Sequence, residues 1–267
     1  DGCFTLGAAV GAVVALSGHP FLSIPAAMLA GVISGFVTGI LQTRMGIDSL
    51  LSGIIVNTAL YSINIAIMGN SSLINLNKTE TVFTMLKSAL AGSPAEGMYK
   101  IIIAFFAVAA TVIFLSLFLS TRLGLAIRAT GNNPDMVRSS SINPVFTTLV
   151  GLCVANAFTG LSGCMLGQLQ KSVNIDIGTG MVTMALASLL IGRAFLGRGR
   201  VPVRAVGAVL GAIIFRIVYA VALRFNMPAF MLKLVSSVIV IIAISGPYIK
   251  SRIPVIRRRL SARKGRA

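Results

Sequence analysis

The sequence predicts an all-α fold: a polytopic membrane helical bundle of about eight spans, with a short coupling helix on its cytoplasmic face. Three observations predict it. Only 11% of the 267 residues are charged and 56% are hydrophobic, with a mean hydropathy of +0.92. A soluble domain carries about 25% charged residues, so this chain lacks the polar surface to face water. Apolar runs long enough to cross a bilayer core of about 30 Å recur along it. Finally, the basic residues gather on alternate connections between those runs.

The runs lie near 3–16, 22–42, 50–68, 99–120, 145–168, 181–196, 205–223 and 229–245. The first is short and opens at Asp1, with no Met and no cleavable-signal pattern, so an earlier span is expected upstream. Residues 1–245 thus form one transmembrane domain and 246–267 a basic tail.

Charge orients the bundle. Arg44, Arg122, Arg128, Arg138, Arg193, Arg198, Arg200 and Arg204 share one side with the tail RRRLSARKGRA, which together hold most of the 23 basic residues. Lys78, Lys87, Lys100, Lys171 and Arg224 take the other. Basic residues collect in the cytoplasm, so the C-terminus and the segment 121–144 are cytoplasmic, in a bacterial inner or plasma membrane. The net charge of +17 is then topology, with the lipid bilayer as partner and no nucleic acid called for; the tail is either a solvated basic end or touches anionic lipid. In the outer loop 69–98, Val82, Met85, Leu86 and Leu90 recur at helical spacing and predict a short amphipathic helix.

Absences narrow the function. The acids Asp1, Asp48, Glu80, Glu96, Asp135 and Asp176 fall at the chain start or in expected loops, so no carboxylate is expected at mid-membrane for ion coupling. His19, before Pro20 at a span end, reads as a turn residue. No nucleophile triad, HExxH grouping or phosphate loop is present, and no metal site is expected. Cys3, Cys153 and Cys164 lie in apolar context and read as small hydrophobes. The chain is not expected to be an enzyme. Uphill transport would require a separate subunit to hydrolyse ATP.

Glycines four apart mark packing faces: Gly31, Gly35 and Gly39 on the second span, Gly7 and Gly11 on the first, Gly207 and Gly211 on the seventh. The third span carries a polar stripe, Asn57, Tyr61 and Asn64, with Gly53 one turn earlier; the fifth adds Asn156 and Thr159. Amides are costly in lipid and turn inward, either to line a solute path or to bond between helices. Arg216, eight residues before Arg224, either snorkels outward or faces that path and attracts a carboxylate.

The stretch RATGNNPDMVRSSSINP is polar between two oily runs. Asn133 suits an N-cap, Pro134 the first helical position, and Asp135 the helix dipole. A helix of about two turns is expected, led in by 128–133 and stopped near Asn143 and Pro144. It would display Met136, Val137 and Ile142 to a partner's groove, or else serve as a mere connector.

GLAIRATGNNPDMVRSSSIN resembles the cytoplasmic loop of ABC importer permeases of the branched-chain amino acid and ribose family. Gly124, Arg128, Ala129, Gly131, Asn133, Val137 and Ile142 match its pattern, and Ser141 stands where the family has glycine. FTLGAA, LLSGIIVNTALYSINIAIMG and LIGRAFLGRGRVPVRAVGAVLGAIIFR extend the resemblance over most of the chain. The ALYSIN and RATGNN strings point toward the tryptophan/tyrosine-type permeases.

The resemblance implies a coupling helix, with Arg128, Gly131, Asn133 to Arg138 and Ile142 engaging a cytoplasmic ATP-binding subunit. It also implies a second permease subunit, as a homodimer, and an extracellular or periplasmic solute-binding protein. ATP and Mg would be bound by the ATPase, and this chain needs no cofactor of its own. The function expected is import of a small solute, an aromatic or branched-chain amino acid. A passive channel or facilitator is the alternative, and a membrane scaffold without transport a third reading.

Overall fold

The computed structural model describes residues 1–89, 96–196 and 201–224, with isolated positions at 234, 237, 238 and 241. The tail 246–267 and most of 229–245 lie outside the described residues. The chain divides into two compact units, Asp1–Thr179 and Gly180–Ala267.

The first unit contains α1 (Gly2–Leu16), α2 (Ser23–Thr43), α3 (Ser49–Ile67), α4 (Val82–Ala89), α5 (Tyr99–Ser120), α6 (Arg122–Asn132), α7 (Pro134–Ser139) and α8 (Pro144–Gln170). The second contains α9 (Met181–Leu196) and α10 (Val201–Arg224). Among the described residues, five helices are long and apolar enough to cross a membrane: α2, α3, α5, α8 and α10. The apolar helices α1 and α9 are shorter. The amphipathic helix expected in the outer loop is α4. Thr81 and Thr84 cap its start reciprocally, each backbone N–H bonding the other's hydroxyl (2.7 and 3.2 Å).

Glycine decides how the first unit packs. A Cβ at Gly31 would overlap the Asn156 carbonyl, and one at Gly35 would meet Leu152 and Cys153 backbone at 2.6–2.9 Å. Gly39 is looser, 3.3 Å from the Leu149 side chain. Gly7 and Gly163 repeat the pattern between α1 and α8, against Gly160 and Phe4 backbone. The backbones of α1, α2 and α8 therefore touch with no side chain between them. In the second unit Gly192, Gly207 and Gly211 bring α9 and α10 together in the same way.

A two-stranded antiparallel ribbon joins positions a hundred residues apart. β1 (Leu73–Asn75) pairs with β2 (Ser172–Asn174) in the register Ile74 to Val173. Runs of three residues carry too little periodicity to be read from sequence, so this ribbon is an addition to the expected all-α fold. Behind it, Gln168 is buried and ties three elements together. Its amide nitrogen donates to Ser23 Oγ (2.6 Å) and its oxygen accepts the Val82 N–H at the start of α4 (3.0 Å).

Gly2 lies at the middle of α3. Its N–H donates to Asn57 Oδ1 (2.7 Å) and its carbonyl accepts from Asn64 Nδ2 (3.2 Å). Lys171, at φ +54, turns the chain at the end of α8, and residues 172–178 run back along α1. Val173 and Ile175 pack with Ala8, Ala9 and Ala12, the Ile175 carbonyl accepts from Thr5 Oγ1 (3.3 Å), and Gly178 rests on Asp1 and Thr5.

Asp176 and Asp1 thus lie at half-height of the bundle, which corrects the expectation that every acid stays outside it. The segment was readable only as an outer loop because it is too short and too polar to register as a span. With a carboxylate at that depth, the missing-acid argument against ion coupling loses its premise.

Candidate functional site: helix α7 and the polar stripe

α7 is built as a fully capped unit. Asn133 sits in extended conformation, and its Oδ1 accepts from the N–H groups of Asp135 and Met136, both at 3.1 Å. Pro134 opens the helix. At the other end Ser141 N–H bonds the Arg138 carbonyl and Ile142 N–H the Val137 carbonyl, both at 3.2 Å. This is a Schellman closure, which places one residue in the left-handed region. That residue is Ser141, at φ +59.

The family glycine expected at Ser141 therefore has a physical reason. A side chain there costs about 1 kcal/mol that glycine avoids. Ser141→Gly is expected to slow hydrogen exchange of the Met136–Ile142 amides about fivefold; an unchanged rate would mean that this closure does not limit local opening.

The lead-in residues 128–132 are the last turns of α6, held to α8 by a bond between the buried hydroxyls of Thr130 and Thr147 (2.8 Å). One detail differs from expectation. Val137 is not displayed. It is 1% exposed, whereas Met136 is 55% and Ile142 37% exposed. A six-residue helix lying on its own bundle must turn one apolar side inward, and Val137 is on that side. Arg128, Gly131, Asn133, Pro134, Asp135 and Arg138 are exposed. Asp135 and Arg138 pair at 3.4 Å in the open, a contact of little energetic weight. Behind α7 an open cavity of about 630 Å³ is lined by Thr43, Ile127, Thr130, Arg138 and Thr148 among others.

Polar residues of the stripe meet near the start of α1. Asn57 and Asn64 hold Gly2, and Asn64 is 1% exposed with its Oδ1 unpartnered. Tyr61 is exposed on the same helix, and Gly53 leaves open space. On α8, Asn156 Nδ2 and Thr159 Oγ1 bond their own helix at Leu152 (2.9 Å) and Ala155 (3.0 Å). The Asn156 carbonyl takes the Cys3 thiol at 3.5 Å. Sequence reasoning missed the third contributor, the end of β2 and the turn after it, which carry Asn174 and Asp176. The apolar–polar alternation of Val173, Asn174, Ile175 and Asp176 was the available signal. Arg216 is exposed on α10. No group of residues suited to a metal occurs among the described residues.

Residues 1–244 match the family model described as the permease component of branched-chain amino acid transport systems. The chain belongs to that family. The permease is 31% identical over 242 residues to a tyrosine transport system permease protein of Clostridioides difficile, covering 90% of this chain and 78% of the relative. It is 29% identical over 175 residues to a nucleoside ABC transporter permease protein of Lactococcus lactis, covering 60% of this chain and 48% of that one. A D-allose transport system permease protein of Escherichia coli is 28% identical over 211 residues, covering 72% and 60% respectively. No solved structure matches significantly. The permease is thus a multi-pass membrane protein and the transport component of an ABC transporter. Its relatives span amino acid, nucleoside and sugar systems.

Proposed function

We propose that this permease imports an amino acid, of aromatic or branched-chain type, in a complex driven by a separate cytoplasmic ATPase. The supporting observation is the 31% identity to a tyrosine permease across 90% of the chain. In this reading two copies form the transmembrane dimer, and an external solute-binding protein delivers the solute. The ATPase holds ATP and Mg and engages α7 through Met136, Ile142 and the exposed polar residues around them. The solute passes the polar cluster of Asn57, Tyr61, Asn64, Asn156 and Thr159.

The reading is tested by co-purifying the permease with its ATPase and following ATP-dependent uptake of tyrosine into proteoliposomes supplied with the binding protein. Flux through the permease alone, without ATP, would instead make it a facilitator. Orientation has its own check. The distribution of basic residues supports an orientation with α7 and the C-terminus in the cytoplasm and the β1 approach outside. In intact cells a membrane-impermeant thiol reagent is expected to label Ser71→Cys and to miss Ser139→Cys. The reverse pattern would invert the topology.

A further inference from the structure

We propose that Asp176, carried to half-height by the turns that follow β2, receives the ammonium group of the solute. The inference rests on the amino-acid reading above and names the residue that would recognise that class.

Depth is the first argument. The segment touches Thr5 and Asp1 through Ile175 and Gly178. Gly2, between those two, is bonded to Asn57 and Asn64 at the middle of a membrane-spanning helix. The second is backbone chemistry. Residues 175–180 form successive turns, with the Ile177 N–H on the Asn174 carbonyl (3.0 Å), and non-helical backbone occurs at membrane depth only where it is covered by protein or lines a water-filled cavity. This segment does both by alternation. Val173 and Ile175 are buried against α1, while Asn174 and Asp176 are exposed on the opposite side.

The third is electrostatic. A carboxylate facing hydrocarbon at that depth is strongly disfavoured, whereas one facing a water-filled path is not. Asp176 is exposed, as a residue facing such a path must be. Its own N–H bonds Asn174 Oδ1 (3.1 Å), and its carbonyl accepts the Thr179 N–H (2.9 Å), a local turn that fixes the backbone and leaves the carboxylate outward. A carboxylate so placed attracts a primary ammonium, and the amides of Asn57 and Asn64 stand at the same height. Neutral sugars and nucleosides can donate hydroxyl hydrogen bonds to it but carry no cation to pair with the charge.

Two measurements on the complete importer test this. In the first, Asp176→Cys is treated with a water-soluble cationic thiol reagent, with Val108→Cys, exposed near the middle of α5, as the control facing lipid. Asp176→Cys is expected to react much faster, whatever the solute. Equal reactivity would overturn the proposal, because the residue would then lie outside any aqueous path.

The second measures uptake of radiolabelled tyrosine, with uridine and D-allose in parallel. Asp176→Asn is expected to lower tyrosine uptake at least about tenfold, the scale of one charge-assisted hydrogen bond. Asp176→Glu should restore part of it, with bound ATPase unchanged. Wild-type tyrosine uptake by Asp176→Asn would refute the ammonium site and leave the amino-acid importer standing. Transport of uridine or allose but not tyrosine by the unaltered protein would refute both.

Discussion

Gly163→Val is expected to abolish the folded permease. Gly163 lies in α8 where its Cα approaches the Phe4 carbonyl so closely that even a Cβ would overlap it, with the Ala8 nitrogen 3.1 Å away. The obstacle is backbone on both sides, so no rotamer change relieves it. The helices must separate, and separation also opens the neighbouring Gly7 and Gly160 contact. Overpacking a core costs about 1–3 kcal/mol when side chains can shift; here they cannot, and the cost is expected to exceed that range. The yield of monodisperse protein in detergent and its thermal unfolding report the outcome. Gly53→Ala is the control, since nothing lies within 4 Å of its added Cβ, and it should leave both unchanged. A Gly163→Val protein of normal yield and melting temperature would show that α1 and α8 do not pack as described.

The second large effect separates two sides of α7. Val137→Asp puts a carboxylate at a site that is 1% exposed, with no cationic partner facing it among the described contacts. Burying an unpaired charge is disfavoured by several kcal/mol, so α7 is expected to detach and transport to fail. That failure alone does not implicate a partner, because the side chain faces this chain's own bundle. Met136→Asp is the informative companion. Met136 is 55% exposed, so the helix should survive while apolar contact with the ATPase is lost. The expected pair of results is altered proteolysis around α7 for Val137→Asp only, and reduced co-purified ATPase for both. If Met136→Asp retains full ATPase binding, coupled hydrolysis and uptake, the exposed side of α7 is not the docking surface.

Much of this was legible in the sequence, and the reasons are physical. Spans are written by length and hydropathy, glycine contacts by spacing, and the α7 cap by the Asn-Pro-Asp order. These signals are local. What escaped depends on chain positions far apart. Whether Val137 faced inward or outward turned on which side of a six-residue helix meets α6 and α8, and both sides carry apolar residues. Asn57 and Asn64 shared a helical face as expected, but nothing local revealed that they would bind the backbone of Gly2. The return of residues 172–178 along α1 required knowing that β1 and β2 pair across about a hundred residues. Ser141 was visible as a departure from the family pattern, while its cost became evident only with its φ of +59.

The glycine-lined seams among α1, α2 and α8 also determine which parts of the permease can bend. A seam made of backbone against backbone has no rotamers to exchange and no side chains to slide over, so it offers no soft coordinate. The three helices behave as a single stiff spar. α5, by contrast, buries only Ile103 among its residues, and its next element, α6, leads straight into α7. Compliance is therefore concentrated in α5, whereas α6 and α7 are tied to α8 through the Thr130–Thr147 bond and the buried Val137, so a push on α7 is passed to the spar as a rigid displacement.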